Sequence, residues 1–325
     1  MKALLVDGSG TRLDANSANP APSEGEAVVR TIKAAISSID GELSHGMLGF
    51  RGIPGHQFVG TVESIFGGGN DKVIGKRVVG SIICSCGKCD LCQGGLSAHC
   101  RQRTILGMQG RNGCLAERFT LPLKNLAIVP DTIDNDHAVF AVELASAIHA
   151  AQQLTIVNKP YITVLGDGSL GLLMVQVMSK LNASVRLVGQ QPDKLAICEK
   201  WGIKHRLASD VGRRADQDIV VDCTGTSDGL ALATQLVRPR GKIVMKSLRS
   251  PDTTAKSSVD LSSLVLNEIE LIGSFAGPIG EALAVLQRRE VDVVSLISKR
   301  VNLSDGPNIL KAAAQPGIVK VLVDC

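Results

Sequence analysis

Two textures of hydrophobic patterning divide this chain. From residue 1 to about 130, short runs rich in β-branched residues alternate with turn signals: AVVRTIKAAI, FVGTVESIF and KRVVGSII. Such runs predict the strands of a mostly antiparallel β domain. Gly67-Gly68-Gly69-Asn70-Asp71 reads as a turn between two of them. Residues 134–153 predict the first long helix, with Ala138, Leu144, Ala145, Ile148 and Ala151 on its apolar face. Then the pattern changes. YITVL, SVRLVG, DIVVDC, GKIVMKS and EIELIGS are apolar strand-like runs, and the first three are each followed by a helical stretch. Those helices run to Leu181, over about 192–201, and to Val237. This alternation predicts βαβ units and a parallel sheet. From Phe275 the chain predicts a helix near 280–289, a strand near 298–303, another helix and a last strand, IVKVLV. That ending is able to complete the first domain.

The chain has 325 residues, which suggests two domains. Apolar residues are 44% and charged residues 20%, the balance of a globular enzyme-like chain. The net charge of +4 is dispersed, and the basic clusters are short, as at Arg213-Arg214 and Arg288-Arg289. Aromatics are 2%, so no stacking platform for nucleic acid is expected. The N-terminal MKALLVDGSG turns polar too soon for a secretory signal. No apolar run reaches the roughly 18 residues of a membrane helix. Neither a nucleic-acid nor a membrane partner is expected.

Chemistry is densest in CGKCDLCQGGLSAHC. Cys86, Cys89, Cys92 and Cys100 form C-x2-C-x2-C-x7-C. Four thiolates at this spacing suit one tetrahedral zinc with no open position, a structural site. The alternatives are free thiols or paired disulfides, and Cys84 just outside is a spare thiol or a competing ligand. Of the nine cysteines, Cys84, Cys114, Cys198, Cys223 and Cys325 lie outside the cluster, scattered and odd in number. This favours reduced thiols and a cytoplasmic location.

Gly166-Asp167-Gly168-Ser169-Leu170-Gly171 fits G-x-G-x-x-G, after a strand and at the opening of a helix. Gly166 permits the tight turn, Gly168 the approach of a diphosphate, and Gly171 close packing of helix on strand. The helix N-terminus, from Ser169 and Leu170, faces the diphosphate. Where an NAD site usually carries a carboxylate, the second strand ends in Gly189, Gln190 and Gln191. No repulsion then excludes a 2′-phosphate, though the nearest cation is Lys194. NADP is favoured over NAD, the alternative being that Gln190 serves the ribose of NAD. Thr224 and Gly225 follow the parallel strand DIVVDC at its C-terminal edge, where such sheets bind ligands.

Four segments taken together, PGHQFVGTV (54–62), the four-cysteine loop, GDGSLG and DCTGTSDGL (222–230), resemble the medium-chain dehydrogenase/reductase superfamily of zinc-containing alcohol and polyol dehydrogenases. The resemblance implies an α/β fold: a GroES-like β-rich catalytic domain over 1–150 and 275–325, a doubly wound Rossmann domain over 151–274, and substrate in the cleft. It also implies a second, catalytic zinc that polarises the substrate oxygen.

At that second site the chain departs from the family. Ser37 stands where a cysteine ligand is expected, and Ile39 where a hydroxyl passes the proton. His56 is present, but Gln57 replaces the usual Glu. In ELASAIHA the ungapped ligand position falls on Val142, with Glu143 one residue away. Asp40 looks like the family's structural aspartate. Ser37, Asp40, His56 and Glu143 are thus the candidate catalytic residues. The leading expectation is that the catalytic zinc is lost or weakened. Such a chain would transfer hydride to a small carbonyl, an enone, an iminium ion or a quinone. The rival is an oxygen-rich zinc site from His56, Glu143 and Asp40 or Glu42, and polyol or alcohol substrates. A non-catalytic NADP(H)-binding protein is the third reading. The family also implies a homo-oligomer, dimer or tetramer, through the edge strand EIELIGS.

Overall fold

The computed structural model describes residues 1–7, 10–68, 71–248 and 261–325. Gly69 and Asn70 of the turn expected at 67–71 lie outside the described residues. The chain forms two compact units, one of Met1–Ala145 with Pro278–Cys325 and one of Ser146–Gly277.

The first unit is built on a seven-stranded sheet. Its central strand, Glu26–Ala35, is buried along almost all of both faces, which suits its Val, Thr and Ile content. Gln57–Ile65 and Arg118–Pro122 pair with it antiparallel. On its other side lies the last strand of the chain, Lys320–Asp324, also antiparallel, with Leu322 opposite Ala35. The C-terminal segment Pro278–Cys325 lies in the first unit. The sheet ends in one parallel pair, Ile297–Asn302 with Lys320–Asp324. Phe58 and Phe119 meet edge to face at 4.7 Å inside this unit.

This pairing gathers three distant segments at one end of the central strand. Gln57 pairs with Ala35 on one side. On the other, Ile36 N–H donates to Val321 O at 3.0 Å. Ser37, Gln57 and Lys320 are thus neighbours although they are far apart in sequence. The helical stretch expected at 134–153 is two helices, Asn135–Ala138 and Ala141–Gln152, with fully buried Val139 and Phe140 between them.

The second unit holds a six-stranded sheet, parallel throughout. Its order is Lys204–Leu207, Ser184–Gly189, Tyr161–Leu165, Gln217–Asp222, Val237–Met245 and Glu270–Gly273. This is the doubly wound dinucleotide-binding order. Lys204–Leu207 is absent from the sequence expectation. As an edge strand reading KHRL it is mostly polar and carries no apolar signal. The helix expected over 192–201 is one α turn, Pro192–Leu195, continuing as a 3-10 stretch, Ala196–Trp201.

Candidate active site and metal centre

The cysteine loop brings its four sulfurs together, each within 4.8 Å of the others. Four of the separations are 3.9 Å (Cys86–Cys92), 3.5 Å (Cys89–Cys92), 3.8 Å (Cys89–Cys100) and 3.5 Å (Cys100–Cys86). A zinc tetrahedron with Zn–S bonds of about 2.3 Å has edges of about 3.8 Å. A disulfide needs about 2.05 Å, so paired disulfides do not describe this loop. Backbone N–H groups of Lys88 and Cys89 draw the Cys86 thiol down to about 6. The donor set fits a structural zinc, held by all four cysteines with no position left for substrate. Cys84 is turned away, buried beside Asn125, whose amide nitrogen lies 3.8 Å from its sulfur.

The glycine turn 166–171 is tight and closely packed. Gly166 has φ +107°, which side chains avoid. A Cβ on Gly171 would fall 1.8 Å from Gly166 O, so only glycine lets the helix Ser169–Ser179 start this close to its strand. A Cβ on Gly168 would meet nothing within 4 Å, which leaves its backbone open to a ligand. Gly225 (φ +67°) and Thr224 follow the strand Gln217–Asp222, and Thr224 Oγ1 donates to Asp222 Oδ1 at 2.6 Å. The sequence reading passed over Asp167. Its Oδ2 accepts from Gln190 N (2.7 Å) and Gln191 N (2.6 Å), which puts a carboxylate at the tip of the second strand. A Cβ on Gly189 would strike this carboxylate at 2.6 Å.

Of the four candidate catalytic residues, three form one network and the fourth joins another. Ser37 precedes the helix Ser38–Ser44. Both its N–H and its Oγ donate to Asp40 Oδ2, at 2.8 and 2.9 Å. Gly55 N–H donates to Asp40 Oδ1 at 3.1 Å. Gly55 has φ +99°, and a Cβ there would lie 2.7 Å from Leu115 Cγ, so the turn before His56 requires glycine. His56 Nδ1 lies 3.5 Å from Asp40 Oδ1, a close electrostatic contact without hydrogen-bond alignment. Burial pushes the Asp40 carboxyl up, but His56 and the Ser37 donors outweigh it and hold it below the usual carboxylate range. Asp40 therefore orients the segment around His56.

Glu143 is turned toward a cation of the protein itself. Its Oε2 lies 2.8 Å from Lys320 Nζ. Lys320 also donates to Gln57 Oε1 at 3.0 Å and to Ile36 O at 3.3 Å. Its ammonium sits 5.8 Å from the centre of the Phe140 ring. Lys320 is 1% exposed, Gln57 3% and Glu143 7%. The three N–H donors of the ammonium meet three acceptors.

A second zinc does not fit these residues. Ser37 Oγ is engaged by Asp40, and Gln57 Oε1 and Glu143 Oε2 are engaged by Lys320. Cys114, whose sulfur lies 3.4 Å from Gln57 O, is held as the thiol because burial raises it well above the ordinary value. A thiol is not a zinc ligand. Glu42, offered by the rival reading, faces solvent. Among the described residues the four cysteines are the one cluster of His, Cys, Asp and Glu side chains close enough to share a metal. The oxygen-rich zinc site weighed from the sequence is thus not assembled, because Glu143 is paired with Lys320. Lys320 was missed in the sequence, where its signal is a lone charge inside the apolar run IVKVLV.

Two units of these kinds, one with a parallel sheet and phosphate-binding turn and one with a four-cysteine loop, define a nicotinamide-dependent dehydrogenase. Residues 23–131 match the alcohol dehydrogenase GroES-like domain, and residues 169–290 match the zinc-binding dehydrogenase family. The chain belongs to the medium-chain dehydrogenase/reductase superfamily, of the zinc-containing alcohol and polyol dehydrogenase type. It is 24% identical over 322 residues to 2-dehydro-3-deoxy-L-galactonate 5-dehydrogenase of Pseudoalteromonas atlantica, spanning 94% of this chain and 93% of that one. It is 27% identical over 321 residues to D-arabitol-phosphate dehydrogenase of Enterococcus avium, spanning 90% and 89%. A crystal structure described as a zinc-binding dehydrogenase of Sinorhizobium meliloti, bound to NADP, superposes with a TM-score of 0.87. That protein is 26% identical, with 100% of this chain and 99% of that chain covered. No helix among the described residues is long and apolar enough to cross a membrane.

Proposed function

We propose that this protein is an NADP(H)-dependent oxidoreductase that carries one structural zinc and works without a catalytic one. It transfers hydride between nicotinamide and a small carbonyl, alcohol or activated double-bond substrate. Gly166, Gly168, Ser169, Leu170, Gly171, Gly189, Gln190, Thr224 and Gly225 hold the dinucleotide, and Ser37, Asp40, His56 and Glu143 belong to the substrate side. The bound cofactor supplies the hydride. The observation that carries the zinc-free reading is the ion pair of Lys320 with Glu143, which fills the donor positions a metal needs. Substrates that need little Lewis-acid help follow from it: enones, iminium ions, quinones and reactive aldehydes.

Support for NADP is the strand end at Gly189-Gln190-Gln191, which has no carboxylate of its own, and the NADP bound to the Sinorhizobium relative. One observation favours a second reading, selection of NAD. Asp167 holds its carboxylate against the same two amides, at the place where a ribose hydroxyl is read. Titration with NADPH and NADH by fluorescence decides between them. Tighter NADPH supports the first reading, and tighter NADH assigns ribose selection to Asp167.

The partner at the protein level is a second copy of this chain. Glu270–Gly273 ends the six-stranded sheet with Leu271 exposed, and the helix Leu261–Leu266 exposes Leu261, Val265 and Leu266. An apolar sheet edge with no further strand among the described residues favours pairing with another chain. Light scattering that returns the monomer mass would reject it. A cytoplasmic location is supported by nine cysteines none of which is in a disulfide.

A further inference from the structure

The lysine that stands in for a metal also fixes a hydrogen-bond donor. An ammonium has only donors, so Lys320 accepts no approach from an amide NH2. Its 3.0 Å contact with Gln57 therefore requires the carboxamide oxygen to face inward and the NH2 to face the other way. No described group accepts from that nitrogen. Among the described residues, the one fully buried side-chain nitrogen or oxygen without a partner is His56 Nδ1. The Gln57 nitrogen is therefore the part of that nearly buried side chain that keeps solvent contact. An NH2 turned away from Lys320, on the residue next in sequence to His56 and backed by a buried positive charge, is an arrangement that binds a substrate oxygen as negative charge develops on it.

We propose that Lys320 is the resident cation of this site in place of a second zinc, and that it holds the Gln57 NH2 outward as the donor to the substrate's carbonyl or enone oxygen. This rests on the oxidoreductase reading above. Lys320 is a positioning residue: its donors are committed to Glu143, Gln57 and Ile36, and it acts on substrate through Gln57. A buried ion pair adds little to stability compared with apolar residues of the same volume, so a role beyond folding accounts better for its presence. The hydride arrives from the reduced cofactor as an electron pair with its proton. The carbonyl π bond breaks, its electrons move to the oxygen, and solvent delivers the proton that completes the alcohol. For an enone the hydride enters at the β carbon, and the enolate oxygen is the one held.

The test has two arms on the full-length protein. In the first, zinc per chain is counted before and after dialysis against excess zinc. The proposal expects about one zinc in both. A second tightly held zinc that disappears in His56→Ala would overturn it. In the second arm, NADPH oxidation is followed with cyclohex-2-en-1-one and with benzaldehyde, with NADPH binding and Tm measured on every variant. Gln57→Leu removes the donor, and kcat is expected to fall by about 10²- to 10³-fold with NADPH binding unchanged. Lys320→Met combined with Glu143→Gln removes both charges of the pair, so the variant keeps its fold. It is expected to lose kcat to a similar degree, whereas Lys320→Arg retains most of it. A purely structural lysine predicts wild-type kcat in the folded double variant, and that result would overturn the positioning role. Wild-type kcat in Gln57→Leu would overturn the donor role. If the wild type binds NADPH but turns over neither probe, the oxidoreductase reading fails and the donor role with it. The zinc count still decides the resident cation.

Discussion

The cysteine loop and the end of the central strand of the first unit solve the same electrostatic problem in opposite ways. Each gathers groups that neutralise a cation. In the loop, four sulfurs stand at the corners of a zinc tetrahedron, and Cys86 is drawn toward the thiolate by neighbouring N–H groups. At the strand end, the oxygens of Glu143 and Gln57 already converge on Lys320. A metal can enter the first, whereas in the second the Glu143 and Gln57 oxygens are committed to Lys320 and only His56 is left uncommitted. The lesson is that a family's metal site is judged by what its donors are already bound to, and only then by which residue types are present.

The largest expected effect is on the loop. Cys89→Ser should take zinc from about one per chain to near zero and lower Tm by on the order of 10 °C, read by metal analysis and calorimetry. Retained zinc would break the comparison from that side. Lys320→Met alone should come next. It leaves Glu143 buried without its counter-ion, a cost of about 3–5 kcal/mol in denaturant unfolding. Adding Glu143→Gln should recover most of that loss. Gly171→Ala forces a Cβ against Gly166 O and should weaken NADPH binding by about tenfold or more while leaving the zinc count unchanged.

Asp40→Asn should cost about 1–3 kcal/mol, since a fully buried acceptor of three N–H and O–H groups is weakened. It carries a pH signature as well. The Asp40 carboxyl is lower in the folded chain than in the unfolded one. Its contribution is thus fully present above the unfolded carboxylate range and is lost as pH falls through the folded value. The variant should therefore show a flatter acid limb in its stability profile. The smallest effect is predicted for Ser37→Cys. It restores a sulfur at the family's ligand position, yet zinc should remain at about one per chain, because Lys320 still holds Glu143 and Gln57.

What was legible in the chain follows from how local each signal is. The zinc loop spans 86–100 and the glycine turn spans 166–171, so spacing alone carried both. Five of the six parallel strands were apolar runs, and the sixth, Lys204–Leu207, escaped because a polar edge strand leaves no such run. The return of IVKVLV to the first unit was also readable, and its strand Lys320–Asp324 does pair there. Lys320 itself was not. Its partner Gln57 lies 263 positions away, and only the register of two strands flanking Ala35 brings them together. Glu143 entered the rival reading as a metal ligand because its residue type is legible in sequence and its neighbour Lys320 is not. Asp167 was overlooked for a similar reason: its two hydrogen bonds cross to the next strand, at Gln190 and Gln191.

The central claim is that one of the two metal positions is filled by zinc and the other by the protein's own lysine. Zinc per chain, counted by plasma mass spectrometry on protein purified without chelator or added metal, tests this most directly. About one zinc, lost in Cys89→Ser, is the result predicted here. About two, with the second lost in His56→Ala or Glu143→Gln, would contradict it. Lys320 would then have to give up Glu143 to a metal, and alcohols and polyols would become the substrates to test.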